Sequence, residues 1–290
     1  YDVKSVYFPL YEIQKQIKLQ EENLKIIEVY KRLATSNFSI GKSTMVDVLR
    51  TDLKIEEASI EIQLLKDKLP LLRSKLNALL SKPMDTEVTI QDSLFIYTMN
   101  KDYRKDSLLL ANPLLVSLNL RMKSASKMEE VAKLQRMPQF GLGIDYAIIS
   151  ERTNVSIPDN GKDAFMPMVS ITLPIFGGRN KAFIKETQIE QEALTYRVTA
   201  LENKLLSDYE FSKYQILQAK ELYDLFEFKI TTSNKMLELL ITAYSNDGKN
   251  FEEVLLVQQT ILKYKIAQLE ALNKYYLGIA KLDLLTNKNE

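Results

Sequence analysis

The sequence contains no cysteine, no histidine and no tryptophan. Disulfides, thiol chemistry and the usual zinc sites are therefore excluded. With histidine goes the commonest general base, so an enzyme built on this chain would have to work with carboxylates, lysine or tyrosine. Net charge is nearly absent too. Its 39 basic and 38 acidic residues leave +1, which gives no support for nucleic-acid binding, a function that wants a basic face. No uninterrupted apolar run approaches the roughly 20 residues that a membrane-spanning helix needs. No signal peptide is visible, because the opening YDVKSVYFPLYEIQ reads as the inside of a domain.

What is present is 290 residues, 46% hydrophobic and 27% charged, which fits an ordered chain of one large domain or two small ones. Four long helices are expected. The first runs from about Val6 to Phe38, where Ile13, Ile17, Leu24, Ile27, Ala34 and Phe38 follow the three–four alternation of a coiled coil, with Gln20 and Lys31 as polar members of the seam. The second runs from about Ser43 to Leu80, with Val48, Ile55, Ile62, Leu69 and Leu76 seven apart; Pro70 inside it should kink it. The third begins near Asn180 and reaches Tyr244, on a seam that includes Ile216, Ala219, Tyr223, Ser233, Leu237 and Tyr244. The fourth spans Phe251 to about Leu285, with Leu255, Leu262, Leu269 and Tyr276 at sevens. A helix of about 65 residues would be roughly 100 Å long at 1.5 Å per residue. Helices of that length have no globular core of their own and must associate sideways. Taken alone, they read as a soluble coiled coil.

Between the helical pairs the period changes to two. PQFGLGIDYAII (Pro138 to Ile149) puts Phe140, Leu142, Ile144, Tyr146 and Ile148 on one face, against Gln139, Gly141, Gly143, Asp145 and Ala147. MVSITLPIF (Met168 to Phe176) alternates likewise, with Val169, Ile171, Leu173 and Ile175 opposite Ser170 and Thr172. Each stretch has the length of a membrane-spanning β-strand, about 10 residues. The polar link SERTNVSIPDNGKDA resembles an extracellular barrel loop, although a soluble sandwich hairpin would show the same alternation.

The letters GKST at Gly41 suggest a phosphate-binding loop, but Ser36 stands where that motif needs its first glycine, and a helix precedes it instead of a strand. A repeat explains the stretch. FSIGKSTMVDVL (Phe38 to Leu49) aligns with YSNDGKNFEEVL (Tyr244 to Leu255): Phe38 with Tyr244, Asp47 with Glu253, Val48 with Val254 and Leu49 with Leu255. Both copies end one long helix and open another. Gly41 and Gly248 therefore reverse the chain at the tips of two helical hairpins, where a residue free to take positive φ is favoured.

A repeated tip of the form aromatic–x–x–Gly…Asp/Glu–Val–Leu, around a strand hairpin set between long helices, resembles the TolC-type outer-membrane efflux family. ANPLLVSLNLRMKSASKMEEVAKLQRMPQFGLGIDY resembles the family's Asn-Pro helix start followed by Pro and an aromatic entering a strand. VSITLPIFGGRNKA resembles its second strand, ending Leu-Pro-Ile-Phe-Gly-Gly before a long helix. The resemblance covers essentially the whole chain. It implies a mainly α fold with a β-hairpin, in which long coiled-coil helical hairpins form a trimeric tunnel and the strands contribute to a transmembrane β-barrel. Elementary physics agrees on one point: an open sheet edge is disallowed in lipid, so two strands per chain must be completed by neighbours.

On that basis residues 1–82 are expected to form the first helical hairpin, 83–137 an equatorial segment and helix, 138–176 the outer-membrane β-hairpin and 177–290 the second helical hairpin. The family carries two strand hairpins, so the chain is expected to lack about 100 N-terminal residues; a natural six-stranded barrel would fall below the ~8 strands at which bacterial barrels start. The implied function is a passive outer-membrane exit duct for efflux or protein export. Its expected partners are two further copies of itself, outer-membrane lipid, a periplasmic adaptor and an inner-membrane pump, with helices projecting into the periplasm. The rival reading is a soluble periplasmic coiled-coil adaptor or interaction protein with a small β insert.

A duct needs no catalytic group, and no enzyme activity, cofactor or metal is expected. The resemblance makes Glu253 the gate acid of the second tip; Leu256 replaces the family's further acid three places on, and Glu252 supplies an adjacent carboxylate. A ring of such acids from three copies would favour cations. The same residues, and Asp47 in the first tip, equally fit an ordinary helix N-terminus, where acids are favoured. Tyr244 resembles the family's tyrosine that ties adjacent hairpins shut, while its seam position predicts simple packing. Gly41, Lys42 and Ser43, with Gly248 and Lys249, are the implied adaptor contacts. Met166 and Met168 form MPM at a strand entrance. Thioethers are soft ligands for monovalent copper or silver, but the nine scattered methionines are expected to fill gaps in packing. Glu21, Glu22, Glu56 and Glu57 read as solvated faces.

Overall fold

The computed structural model describes residues 1–91, 93–96, 108, 112–154, 158–175, 177–247 and 250–286. They fall into two compact units, one of Tyr1–Leu108 with Leu205–Glu290, the other of Leu109–Lys204.

In the first unit lie helices α1 (Asp2–Ser39) and α2 (Met45–Leu79). It also holds the part of α4 (Gly178–Asp247) from Leu205 onward, and α5 (Phe251–Leu285). All four expected helices are present, with ends within a few residues of those read from the seams. Helix α2 continues past Pro70, and α1 past Pro9. Each proline removes one backbone donor. In α2, buried Ile62 and Leu65 on one side of the proline and Leu76 on the other hold the helix to its neighbours through that gap.

The α1 seam is shifted in part. Ile17, Gln20, Ile27 and Ala34 are buried as expected, but Asn23, Tyr30 and Asn37 take the places expected for Leu24, Lys31 and Phe38, and Phe38 is exposed. The reason is that α1 packs against both α2 and α5, so its buried stripe is wider than a two-helix seam. The polar members of that stripe find partners across the interface. Gln258 donates to Asn23 Oδ1 at 2.9 Å, and the Tyr30 hydroxyl donates to Gln258 Oε1 at 3.4 Å. Burial pushes the Tyr30 hydroxyl up to about 12. On α4, Ile216, Ala219, Ser233, Leu237 and Tyr244 are buried along the expected seam.

The second unit contains α3 (Pro113–Leu134), strands β1 (Gln139–Ala147) and β2 (Ala164–Thr172), and the first part of α4. Asn112 caps α3, its Oδ1 accepting from Leu114 N at 3.0 Å, with Pro113 at the first helical position. Glu129 fastens α3 to α4. It accepts from Gln191 at 2.8 Å, from Lys133 at 2.9 Å and from Gln188 at 3.1 Å, and these donors hold its carboxyl down to about 2.

The two strands pair antiparallel, with Phe140 opposite Ile171, Leu142 opposite Val169, Ile144 opposite Pro167 and Tyr146 opposite Phe165. Strand β2 begins and ends four residues earlier than the alternation suggested. Pro167 does not prevent pairing: it stands opposite Ile144, and the ladder runs through it from Ala164 to Thr172. Leu173–Pro174 then ends the ladder, and Phe176 lies outside the described residues. The connection is closed on itself. Asn160 and Arg152 exchange two bonds of 2.9 Å, Asp163 accepts from Ile149 N at 3.0 Å and from the Tyr146 hydroxyl, and Gly161 sits at φ +82° where a Cβ would collide with Glu151.

Candidate functional site at the helical tips and the strand hairpin

The first tip is built by backbone bonds at the end of α1. Lys42 N and Ser43 N both donate to Asn37 O, at 2.9 and 3.3 Å, and this fold-back requires the positive φ of +71° found at Gly41. Ser43 Oγ adds a 3.4 Å bond to Ala34 O. Lys42 is exposed, and its Nζ donates to Asn246 O of the second tip at 3.5 Å. In that second tip Asn250 holds φ +64° immediately before α5, and its carbonyl accepts from Glu253 N at 3.1 Å. Gly248 and Lys249 lie outside the described residues.

Beneath the tips sits an apolar cluster that includes Tyr30, Ala34, Val48, Tyr244, Phe251 and Val254. Tyr244 is fully buried there, its ring 4.6 Å from that of Phe251. Its hydroxyl is buried with no hydrogen-bond partner among the described residues. Tyr244 thus packs in the tip core of its own chain.

The charged groups lie around this core. Arg50 on α2 reaches Glu252 on α5 at 2.9 Å and Asp47 on its own helix at 3.8 Å. One guanidinium thereby joins the acids of both tips. Glu253 is exposed and forms no ion pair among the described residues. Both Glu252 and Glu253 stand in the first turn of α5, where the helix dipole favours acids. Arg50 was not singled out from the sequence. Its counterpart in the second tip, 206 residues on, is Leu256, so matching the two copies hides it. The available signal was the spacing of Asp47 and Arg50, which places opposite charges one turn apart. Glu21 and Glu57 are partly exposed acids with lysine partners, Lys66 at 2.8 Å and Lys54 at 2.7 Å.

The strand hairpin presents two unlike faces. On one, Phe140, Leu142, Ile144 and Tyr146 stand opposite Ile171, Val169, Pro167 and Phe165. No described residue covers this face: Leu142 is 87% exposed, Phe140 76% and Val169 72%. The other face carries Gln139, Gly141, Gly143, Asp145 and Ala147 opposite Thr172, Ser170, Met168, Met166 and Ala164. A continuous apolar sheet face of this size in water would be an aggregation surface. No described helix is long and apolar enough to cross a membrane.

Solved structures share this architecture. The outer-membrane channel OprN superposes with a TM-score of 0.89 at 17% identity, over 99% of this chain and 65% of that one. The outer membrane protein VceC of Vibrio cholerae gives 0.85 at 15% identity, over 98% and 68%. The Campylobacter jejuni CmeC outer membrane channel gives 0.86 at 12% identity, over 98% and 61%. The chain has the fold of these outer-membrane channels. It spans about two thirds of the length of these channels. No protein-family model and no curated protein matches it. Within this channel fold the resemblance read from the tip repeat and the strand signatures holds, and the soluble-adaptor reading is not favoured.

Proposed function

We propose that this chain forms, with two further copies, an exit duct in a bacterial outer membrane, with its long helices continuing the duct into the periplasm. The observation that carries this reading is the strand hairpin. Its apolar face is unpartnered and its edges are open, a combination that lipid and neighbouring strands would complete. The channel fold supports the same role. Transport is passive, since a duct needs an opening and not a reaction, and no catalytic step is assigned.

The tips are the proposed gate and docking end. Asp47, Glu252 and Glu253 supply three carboxylates per chain near the turns, which repeated by three would make the opening favour cations. Gly41, Lys42 and Ser43 are offered to a periplasmic adaptor and, through it, to an inner-membrane pump; Gly248 and Lys249, outside the described residues, are assigned the same role from the tip repeat. Cargo would then be selected by the pump.

The test is native mass and conductance of the protein extracted in detergent. A trimer that needs detergent and opens ion-conducting pores in a planar bilayer is expected. A monomer that stays soluble without detergent and conducts nothing would sink the proposal.

A further inference from the structure

We propose that Met166 and Met168, together with Asp145, form a binding site for a soft monovalent cation, copper(I) or silver(I), on the small-residue face of the hairpin. The two methionines are two apart on β2 and so share a face, about 6.6 Å apart along the strand. In register, Met166 stands opposite Asp145 and Met168 opposite Gly143. Directly opposed side chains begin about 5 Å apart, so two thioethers and one carboxylate fall within reach of a single ion.

Three observations separate this pair from ordinary packing. First, the rest of the face is made of small or polar residues, and Met166 and Met168 are the large apolar side chains on it. Second, a methionine that fills a gap needs a core around it. These two are 53% and 50% exposed. Third, the room above Gly143 is used. The Met168 methyl carbon lies 3.8 Å from where a Cβ on Gly143 would stand, so the thioether folds across the pairing line toward the strand that carries Asp145. Thioether sulfur selects soft cations over magnesium, calcium or manganese, which prefer oxygen ligands. The carboxylate balances the single positive charge. Two thioethers hold such an ion weakly enough to release it, which suits a site passed in transit.

The binding site itself needs only one hairpin; its role in cargo passage rests on the duct reading, in which this face lines the lumen. The experiment therefore measures both. Silver nitrate is titrated calorimetrically into the detergent-solubilised protein in chloride-free buffer, and bilayer conductance is recorded on the same preparations. One silver ion per chain at micromolar affinity is expected. M166L/M168L, which keeps volume and apolarity, should weaken binding at least tenfold, and D145N should weaken it several-fold. No silver binding, or equal binding by M166L/M168L, overturns the site even if the pores conduct normally. Methionine-dependent binding without any conductance keeps the site and removes the lumen.

Discussion

Arg50 on α2 and Glu252 on α5 meet at 2.9 Å, and their pairing ties the tip of one helical hairpin to the tip of the other. Arg50 also stands 3.8 Å from Asp47, so one cation offsets two of the three acids proposed for the opening. Both partners are well exposed, and such pairs contribute only about 0–1 kcal/mol to stability. We therefore predict that R50A melts within a few degrees of wild type. In a planar bilayer it should conduct more and prefer cations more strongly, because the tether is gone and Glu252 is unmasked. At about 1 M salt, where the Debye length is roughly 3 Å, wild type and variant should converge. Equal conductance and selectivity at low salt would remove Arg50 from the gate.

Leu142 and Ser170 test the two faces of the hairpin. Leu142 lies on the apolar face opposite Val169, Ser170 on the other face opposite Gly141. If the apolar face meets lipid, L142R places a charge there at a cost of about 2–4 kcal/mol near the bilayer midplane. The expected result is loss of the trimer from the outer-membrane fraction. S170D, toward the proposed lumen, should assemble normally. Equal assembly of both variants would contradict the orientation.

The helices were legible because their seams repeat over many turns, and Phe251 to Leu285 was read almost to the residue. The strand faces were legible as well, since alternation from Phe140 to Tyr146 leaves one choice of side. Three features were not. Asn23 and Tyr30 replaced Leu24 and Lys31 in the core because a sequence does not tell that α1 touches two helices at once. Strand β2 begins four residues before the alternation at Met168, because its start is set by pairing with β1, Ala164 opposite Ala147. Arg50 is hidden in the tip repeat because its counterpart, Leu256, is apolar. In each case the missing information is a partner from elsewhere in the chain.

Tyr30 gives a pH test of the α1–α5 interface. Its hydroxyl ordinarily ionises near 10.0, and burial raises it to about 12. The folded chain thus holds this proton more tightly than the unfolded one. The contribution is complete below pH 10 and is lost as pH rises through 10 toward 12. Chemical denaturation monitored by circular dichroism at pH 8, 10 and 12 should show wild type losing more stability over that window than Y30F. The difference between the two isolates Tyr30 from the other tyrosines. Parallel curves for the two proteins would show that this hydroxyl is not buried in solution.

Gly278 sets the distance between α4 and α5. A Cβ built on it would stand 2.6 Å from Ile216 Cγ1 and 3.6 Å from Ser212 O. In a helix interior alanine is the better residue by about 1 kcal/mol, so a glycine retained here argues for close approach. G278A sets that gain against an overpacking cost of about 1–3 kcal/mol, and Ile216 has little room to yield because it is itself buried in the seam. We expect G278A to be destabilised on balance. I216A removes the clashing carbon but leaves a cavity, costing about 2–5 kcal/mol alone. If the helices touch here, G278A/I216A should be more stable than the sum of the two single losses, because the new methyl enters the space the isoleucine left. Additivity within about 0.5 kcal/mol in a double-mutant cycle would mean that the two positions are not in contact. The close approach of α4 to α5 at Gly278 would then have to be abandoned.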